Sequence, residues 1–287
     1  MNFVNRFDFD STLKEAGSAA PTPILLPFLK WAGGKRWIAR KLKDRIGSVS
    51  GCYIEPFLGS AAVYFSVLPE RAVLADCNLE LVNTYRALQL QHKAVLRHLT
   101  SYQMLHSAEF YYQMRDQRPT TLAKQAARFI YLNRTCWNGL YRVNTRGEFN
   151  VPIGTKDTVL LASDDFSQMH TTLKNVRLRC SDFQESIDTA SAGDVLFCDP
   201  PYTVRHKFNG FVKYNENLFS WADQVRLRNS LVRAQDRGAR IFITNADHES
   251  IHELYVRDFA IESTSRFSPI GGANAVRGQF AELLITG

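Results

Sequence analysis

Four short apolar runs constrain this chain more than any other feature. Cys52-Tyr53-Ile54, Ala72-Val73-Leu74-Ala75, Val195-Leu196-Phe197-Cys198 and Ile241-Phe242-Ile243-Thr244 lack polar alternation. Each therefore reads as a strand buried on both faces, the condition of a parallel sheet covered by helices. Amphipathic stretches at 60–68, 78–99 and 221–237 lie between them. Strand, helix, strand in repetition predicts an α/β fold with a doubly wound, mostly parallel sheet. A further strand is expected at 176–180, and 259–267 with 279–286 read as an antiparallel hairpin joined by Ser268–Gly278.

The alternation stops between about 80 and 160. Helical patterns at 78–99, 106–116 and 120–134 lead to Val143, Phe149 and Val151, which alternate with polar residues around Asn144-Thr145-Arg146-Gly147. That pattern predicts a β-hairpin. The expected division is a polar arm over 1–27, a sheet domain made of 28–79 and 161–287, and an inserted subdomain of helices and a hairpin over 80–160.

Charge narrows the partner. Lys and Arg number 35 against 28 Asp and Glu, a net +7 that favours an anionic partner such as nucleic acid or a membrane surface. The first 157 residues hold 21 basic and 12 acidic side chains, or +9; the rest hold 14 and 16, or −2. No run approaches the roughly 18 apolar residues of a membrane span. Asp8, Asp10 and Glu15 argue against a secretory leader. The cysteines at 52, 77, 136, 180 and 198 form no CxxC pair and read as reduced thiols of a cytoplasmic protein.

Three segments carry chemistry. Glu55-Pro56-Phe57-Leu58-Gly59-Ser60 follows a strand and opens a helix, and Asp76 ends the next strand. Small residues let a ligand approach that turn, and a carboxylate at the second position binds ribose hydroxyls. The fuller GxGxxG of a dehydrogenase is absent, so a nucleoside-bearing ligand other than a dinucleotide fits better. Asp199-Pro200-Pro201-Tyr202 follows the strand 195–198, at the edge where open sheets bind ligands. Two prolines stiffen a turn that presents a carboxylate, a carbonyl and an aromatic ring. The two acceptors suit an exocyclic amine on a planar base, and the ring suits stacking. Holding both amine hydrogens makes the nitrogen pyramidal and points its lone pair at an electrophile. Phe28-Leu29-Lys30-Trp31-Ala32-Gly33-Gly34-Lys35 adds an indole face, which attracts a cation such as a sulfonium, and an ammonium group.

In this order, FLKWAGGK, YIEPFLGSAAV, LADCNLELVNTY, NRTCWNGLYRVNTRGEFNVPIG and DPPY resemble the Dam-type DNA adenine-N6 methyltransferases, α-ordered amino-methyltransferases, from about Phe28 onward. The resemblance implies a Rossmann-like methyltransferase sheet, S-adenosylmethionine as cofactor, and an adenine flipped out of duplex DNA. It implies catalysis by Asp199, Pro200, Pro201 and Tyr202, with no metal required. Cofactor contacts are implied for Trp31, Lys35, Phe57, Gly59, Asp76, Asp182, Phe183 and Asp199. The insertion becomes the target-recognition domain, with DNA contacts from Arg134, Trp137, Asn138, Leu140, Arg142, Asn144, Arg146 and Pro152. Among these, Arg142 is expected on a guanine and Trp137 as a wedge in the stack. The expected site is GATC, although Thr155–Leu161 departs from the housekeeping members and opens the last base. After the catalytic turn, Thr203–Phe211 is more basic than the family pattern, and Phe211 and Tyr214 are candidates to cover the base.

Rival readings remain. The same acceptors orient a cytosine N4, and a non-catalytic DNA-binding module keeps the same fold. His248-Glu249-Ser250-Ile251-His252 satisfies the HExxH zinc-peptidase pattern. Asp247 and Glu253 flank it, however, and Asp247 is the expected cap of a surface helix. No Pro-Cys dipeptide or PCxxC motif exists, which excludes cytosine-C5 methylation and zinc-dependent base deamination. Restriction protection, carriage on a phage or mobile element, and strand marking are all compatible with these motifs.

Overall fold

The computed structural model describes residues 25–144, 146–203, 219–267 and 279–287. Most of the expected arm, Thr145, the basic segment after Thr203 with Phe211 and Tyr214, and the Ser268–Gly278 connection lie outside them. The apolar runs become β1 (Tyr53–Glu55), β2 (Ala72–Asp76), β4 (Val195–Cys198) and β5 (Arg240–Ala246), with β3 at Val176–Cys180. β6 (Ala260–Phe267) and β7 (Gln279–Thr286) form the antiparallel pair. The sheet order is β3-β2-β1-β4-β5-β7-β6, parallel from β3 to β5, with β7 antiparallel to both of its neighbours.

Helices cover both faces, as the doubly apolar strands require. α1 (Ala39–Ile46) and α2 (Ala62–Val67) pack with α3 (Leu79–Leu105), α4 (Ala108–Asp116), α5 (Leu122–Thr135) and α6 (Phe166–Leu173) around one core. α7 (Phe183–Ile187), α8 (Trp221–Asp236) and α9 (Glu249–Tyr255) enclose a second on the other side. Short polar residues start the helices: Asn78 caps α3 by accepting from the Leu81 N–H, and Ser220 with Asp223 forms a capping box on α8.

α3 runs through the sequence division at residue 80. Its first half lies on the sheet, where the Gln89 amide donates to the Leu173 and Val176 carbonyls at 2.8 Å each. Gln91 departs from helical geometry (φ −141°, ψ 29°), and the second half continues into the insertion. There the hairpin is narrower than its sequence pattern predicts. Val143 and Phe149 form a single bridge, and the Asn150 N–H reaches the Arg142 carbonyl at 3.2 Å.

Candidate active site

The strand order reverses between β1 and β4, so the loops leaving their C-terminal ends open a crevice at the switch point of the sheet. Asp199 leaves β4 at that edge. The Lys35 ammonium lies 2.9 Å from its Oδ1, and the Thr244 hydroxyl, on β5, donates to the same oxygen at 2.8 Å. Lys35 is 3% exposed, donates to the Gly33 carbonyl at 2.6 Å, and stands 5.1 Å from the centre of the Tyr202 ring. Glu282, on β7, lies 3.6 Å from the same ammonium and accepts from the Tyr202 hydroxyl at 3.0 Å. Burial pushes the Asp199 carboxyl up from its ordinary range, and the Lys35 charge pulls it back.

Lys35, expected with the cofactor contacts, thus has its ammonium in the network of the Asp199–Tyr202 turn. Thr244 and Glu282 were not legible as site residues, because neither sits in a motif and each arrives from a distant strand. Glu55 heads the turn segment picked out by the sequence, but no role was assigned to it there. The structure buries it, with the Tyr53 hydroxyl donating at 2.9 Å, and desolvation pushes its carboxyl up to about 8.

A second cluster lines the exits of β1, β2 and β3. Gly59 adopts φ 45°, and a Cβ there would sit 2.9 Å from the Trp31 indole, so the close approach needs glycine. Its N–H donates to Asp76 Oδ2 at 3.3 Å, while the Asn78 N–H donates to Oδ1 at 3.0 Å. Burial raises the Asp76 carboxyl and these backbone donors oppose the rise. Phe57 stacks on Phe183 with centroids 5.5 Å apart. Asp182 caps α7 and binds Arg226 through both oxygens, at 2.6 and 2.9 Å, which holds its carboxyl below the usual range. A carboxylate at the end of β2, a glycine turn after β1 and flat apolar rings beside β3 fit an adenosyl group. Trp31 faces the other way as well: its ring stacks on Tyr141 of the insertion at 5.5 Å.

In the insertion, Trp137, Asn138, Arg142, Arg146 and Pro152 are exposed and Leu140 is half-buried. Trp137, Leu140, Arg142, Val151 and Pro152 line a concavity of about 220 Å³. The Arg142 Nε donates to Asn150 Oδ1 at 2.9 Å, which fixes the direction of its guanidinium. Asn144 braces the turn, with its Oδ1 accepting from the Arg146 and Glu148 N–H groups. Arg134 requires a correction. It is buried against Asp164, at 2.6 and 2.7 Å, and donates to the Phe28 and Val159 carbonyls, so it ties the insertion to the sheet domain and is not on the surface where a DNA contact was expected. Arg128 is likewise buried and closes the end of α4 through the Met114 and Arg115 carbonyls.

The two imidazoles of the HExxH segment are engaged by other side chains. His248, not Asp247, caps α9 from outside the helix, and its ring engages the Ser250 hydroxyl at 2.9 Å. His252 pairs with Asp247 at 3.0 Å instead. Among the described residues no three ligand-type side chains are grouped to hold a metal ion, and no helix is long and apolar enough to cross a membrane. The described cysteines are all free, and Cys198 is fully buried in β4.

The chain is 32% identical over 271 residues to the Type II methyltransferase M1.LlaDCHI of Lactococcus lactis subsp. cremoris, covering 91% of this chain and 95% of that protein. It is 33% identical over 243 residues to the Type II methyltransferase M.MjaIII of Methanocaldococcus jannaschii, covering 77% and 84%. With the DNA adenine methylase of Serratia marcescens the figures are 31% over 233 residues, 79% and 86%. The family model for D12 class N6 adenine-specific DNA methyltransferases matches residues 31–269, a span that takes in the cluster around Gly59 and Asp76, the insertion and the Asp199–Tyr202 turn. With that turn at the switch point of this sheet, the chain belongs to the D12 class of N6 adenine-specific DNA methyltransferases.

Proposed function

We propose that this enzyme methylates N6 of an adenine flipped out of duplex DNA, within a GATC site, in the cytoplasm of its host. S-adenosylmethionine is the methyl donor of the family, and when bound it supplies an electrophilic methyl group. Trp31, Phe57, Gly59, Asp76, Asp182 and Phe183 are the residues to hold it, with Asp199 at the junction of cofactor and base. The observation that carries the reading is the anchored carboxylate of Asp199. Lys35 and Thr244 both engage Oδ1, so the second oxygen is the one offered to the amine. Asp199 and the Pro200 carbonyl take the two amine hydrogens and direct the lone pair, Pro201 stiffens the turn, and Tyr202 stacks on the base. Arg142 reads a base edge from the hairpin, Trp137 enters the gap left by the flipped nucleotide, and Asn138, Leu140, Arg146 and Pro152 complete the contact surface.

Incubating the protein with tritiated S-adenosylmethionine and DNA free of N6-methyladenine tests this. Asp199→Ala is expected to abolish methyl transfer while DNA and cofactor binding largely survive, and normal turnover in that variant refutes the assignment. Sequencing the methylated bases then reads the site directly, and methylation outside GATC overturns that part of the proposal.

A further inference from the structure

We propose that Glu282, on the antiparallel strand β7, is a positioning residue for methyl transfer, setting both the ring of Tyr202 and the charge shared between Lys35 and Asp199. The inference rests on the methyltransferase reading above and goes beyond it, since no motif marks this residue.

The geometry is that of a cross-brace. The catalytic turn begins at Asp199 and ends at Tyr202, and both ends are tied to one buried ammonium. Lys35 reaches Asp199 Oδ1 at 2.9 Å and Glu282 Oε2 at 3.6 Å. That same Oε2 accepts from the Tyr202 hydroxyl at 3.0 Å. Glu282 is 4% exposed and Lys35 3%, so their attraction is little screened by water. One ammonium thus serves two carboxylates, and without it both would be buried with no counter-ion in this cluster. β7 holds Glu282 in register opposite Ala246 at the end of β5, and Thr244, which donates to Asp199, lies two residues earlier on the same strand. The carboxylate therefore acts on the base-binding ring from one oxygen and on the amine acceptor through Lys35.

This arrangement has a signed consequence. Asp199 faces Lys35, the Thr244 hydroxyl, Glu282, the buried Glu55 and the Cys198 thiol, and the turn itself brings Tyr202 beside Lys35. Glu282 is a like charge to Asp199 and shares its counter-ion. Taking that charge away leaves Lys35 to Asp199 alone, which favours the ionised Asp199 and lowers the pH at which it loses its proton. Glutamine keeps an acceptor for the Tyr202 hydroxyl but removes the charge; alanine removes both.

The test uses the full chain, tritiated cofactor and DNA free of N6-methyladenine. Glu282→Gln is expected to move the acid limb of the kcat/KM profile to lower pH. Glu282→Ala is expected to lower kcat about tenfold or more, with DNA and cofactor Kd changed far less. In a Tyr202→Phe background the loss on going from glutamine to alanine shrinks, because the hydroxyl it serves is gone. 2-Aminopurine at the target position gives a readout without turnover: its quenching against Tyr202 weakens in Glu282→Ala. A wild-type acid limb in Glu282→Gln with wild-type kcat in Glu282→Ala overturns the inference, as does a loss confined to Kd. If the wild-type protein itself methylates no DNA, the methyltransferase reading fails and this inference falls with it.

Discussion

Glu55 shows how a buried acid leaves a mark on stability. Its ordinary range lies near 4.5, and burial at the end of β1 moves it to about 8. Between those values the folded protein holds a proton that the unfolded chain releases. Stability from this residue is therefore full below about pH 4.5, falls as pH rises, and levels off above about 8. Glu55→Gln is expected to flatten that decline by up to about 1.4 kcal/mol per pH unit. Thermal melts of both proteins across pH 5–8 check it, and parallel curves refute it. The residue scale is also where the sequence was least legible. Asp199, Tyr202, Gly59 and Asp76 lie in compact motifs whose chemistry follows from residue type and order. Thr244 and Glu282 are ordinary strand residues until folding brings them to Lys35 from more than 200 positions away.

At the scale of elements, legibility depended on burial having two sides or one. Strands covered on both faces write themselves as unbroken apolar runs, so β1, β2, β4 and β5 fell where the runs predicted. The insertion is different, because its helices bury basic side chains that a sequence presents as surface. Arg134 on α5 and Arg142 on the hairpin look alike in the chain, yet the first is buried and the second exposed. Arg134→Ala leaves Asp164 buried and unpaired, and a destabilisation of about 3–5 kcal/mol is expected. Arg142→Ala is expected to leave the melting temperature within a degree or two and to lose about 1–3 kcal/mol of discrimination at one base position. Melting curves and competition binding with single-base variants separate the two. A stable Arg134→Ala protein with weakened DNA binding would restore the surface role.

For the whole molecule, the excess positive charge is what links fold to partner. It resides in the first 157 residues, where the insertion carries eight Arg and Lys between 115 and 157. Arg128 and Arg134 are spent inside, so that segment offers at most six cations to phosphates. Binding to duplex DNA is expected to weaken linearly in log–log form with salt, each contacted phosphate contributing about −0.9 to the slope. Titrations between 50 and 200 mM salt check this, and salt-independent affinity would rule out the electrostatic footprint. One apolar core joins Phe28, Tyr53 on β1 and Tyr85 on α3 to Tyr111, Phe129 and Val151, so the insertion shares its core with the sheet domain.

That shared core gives the Trp31 stack a meaning for protein engineering. Trp31 closes on Gly59 from one side and on Tyr141 from the other, and Tyr141 immediately precedes Arg142. Exchanging hairpins between relatives to change the site read would cut through that stack if the graft began at Tyr141. A seam one residue later spares the stack: Tyr141 stays with the host scaffold, and the transplanted segment starts at Arg142 and keeps a ring at position 149 to pack on Tyr141. A graft that respects it leaves the indole seated against the glycine turn while a new base-reading edge is carried in.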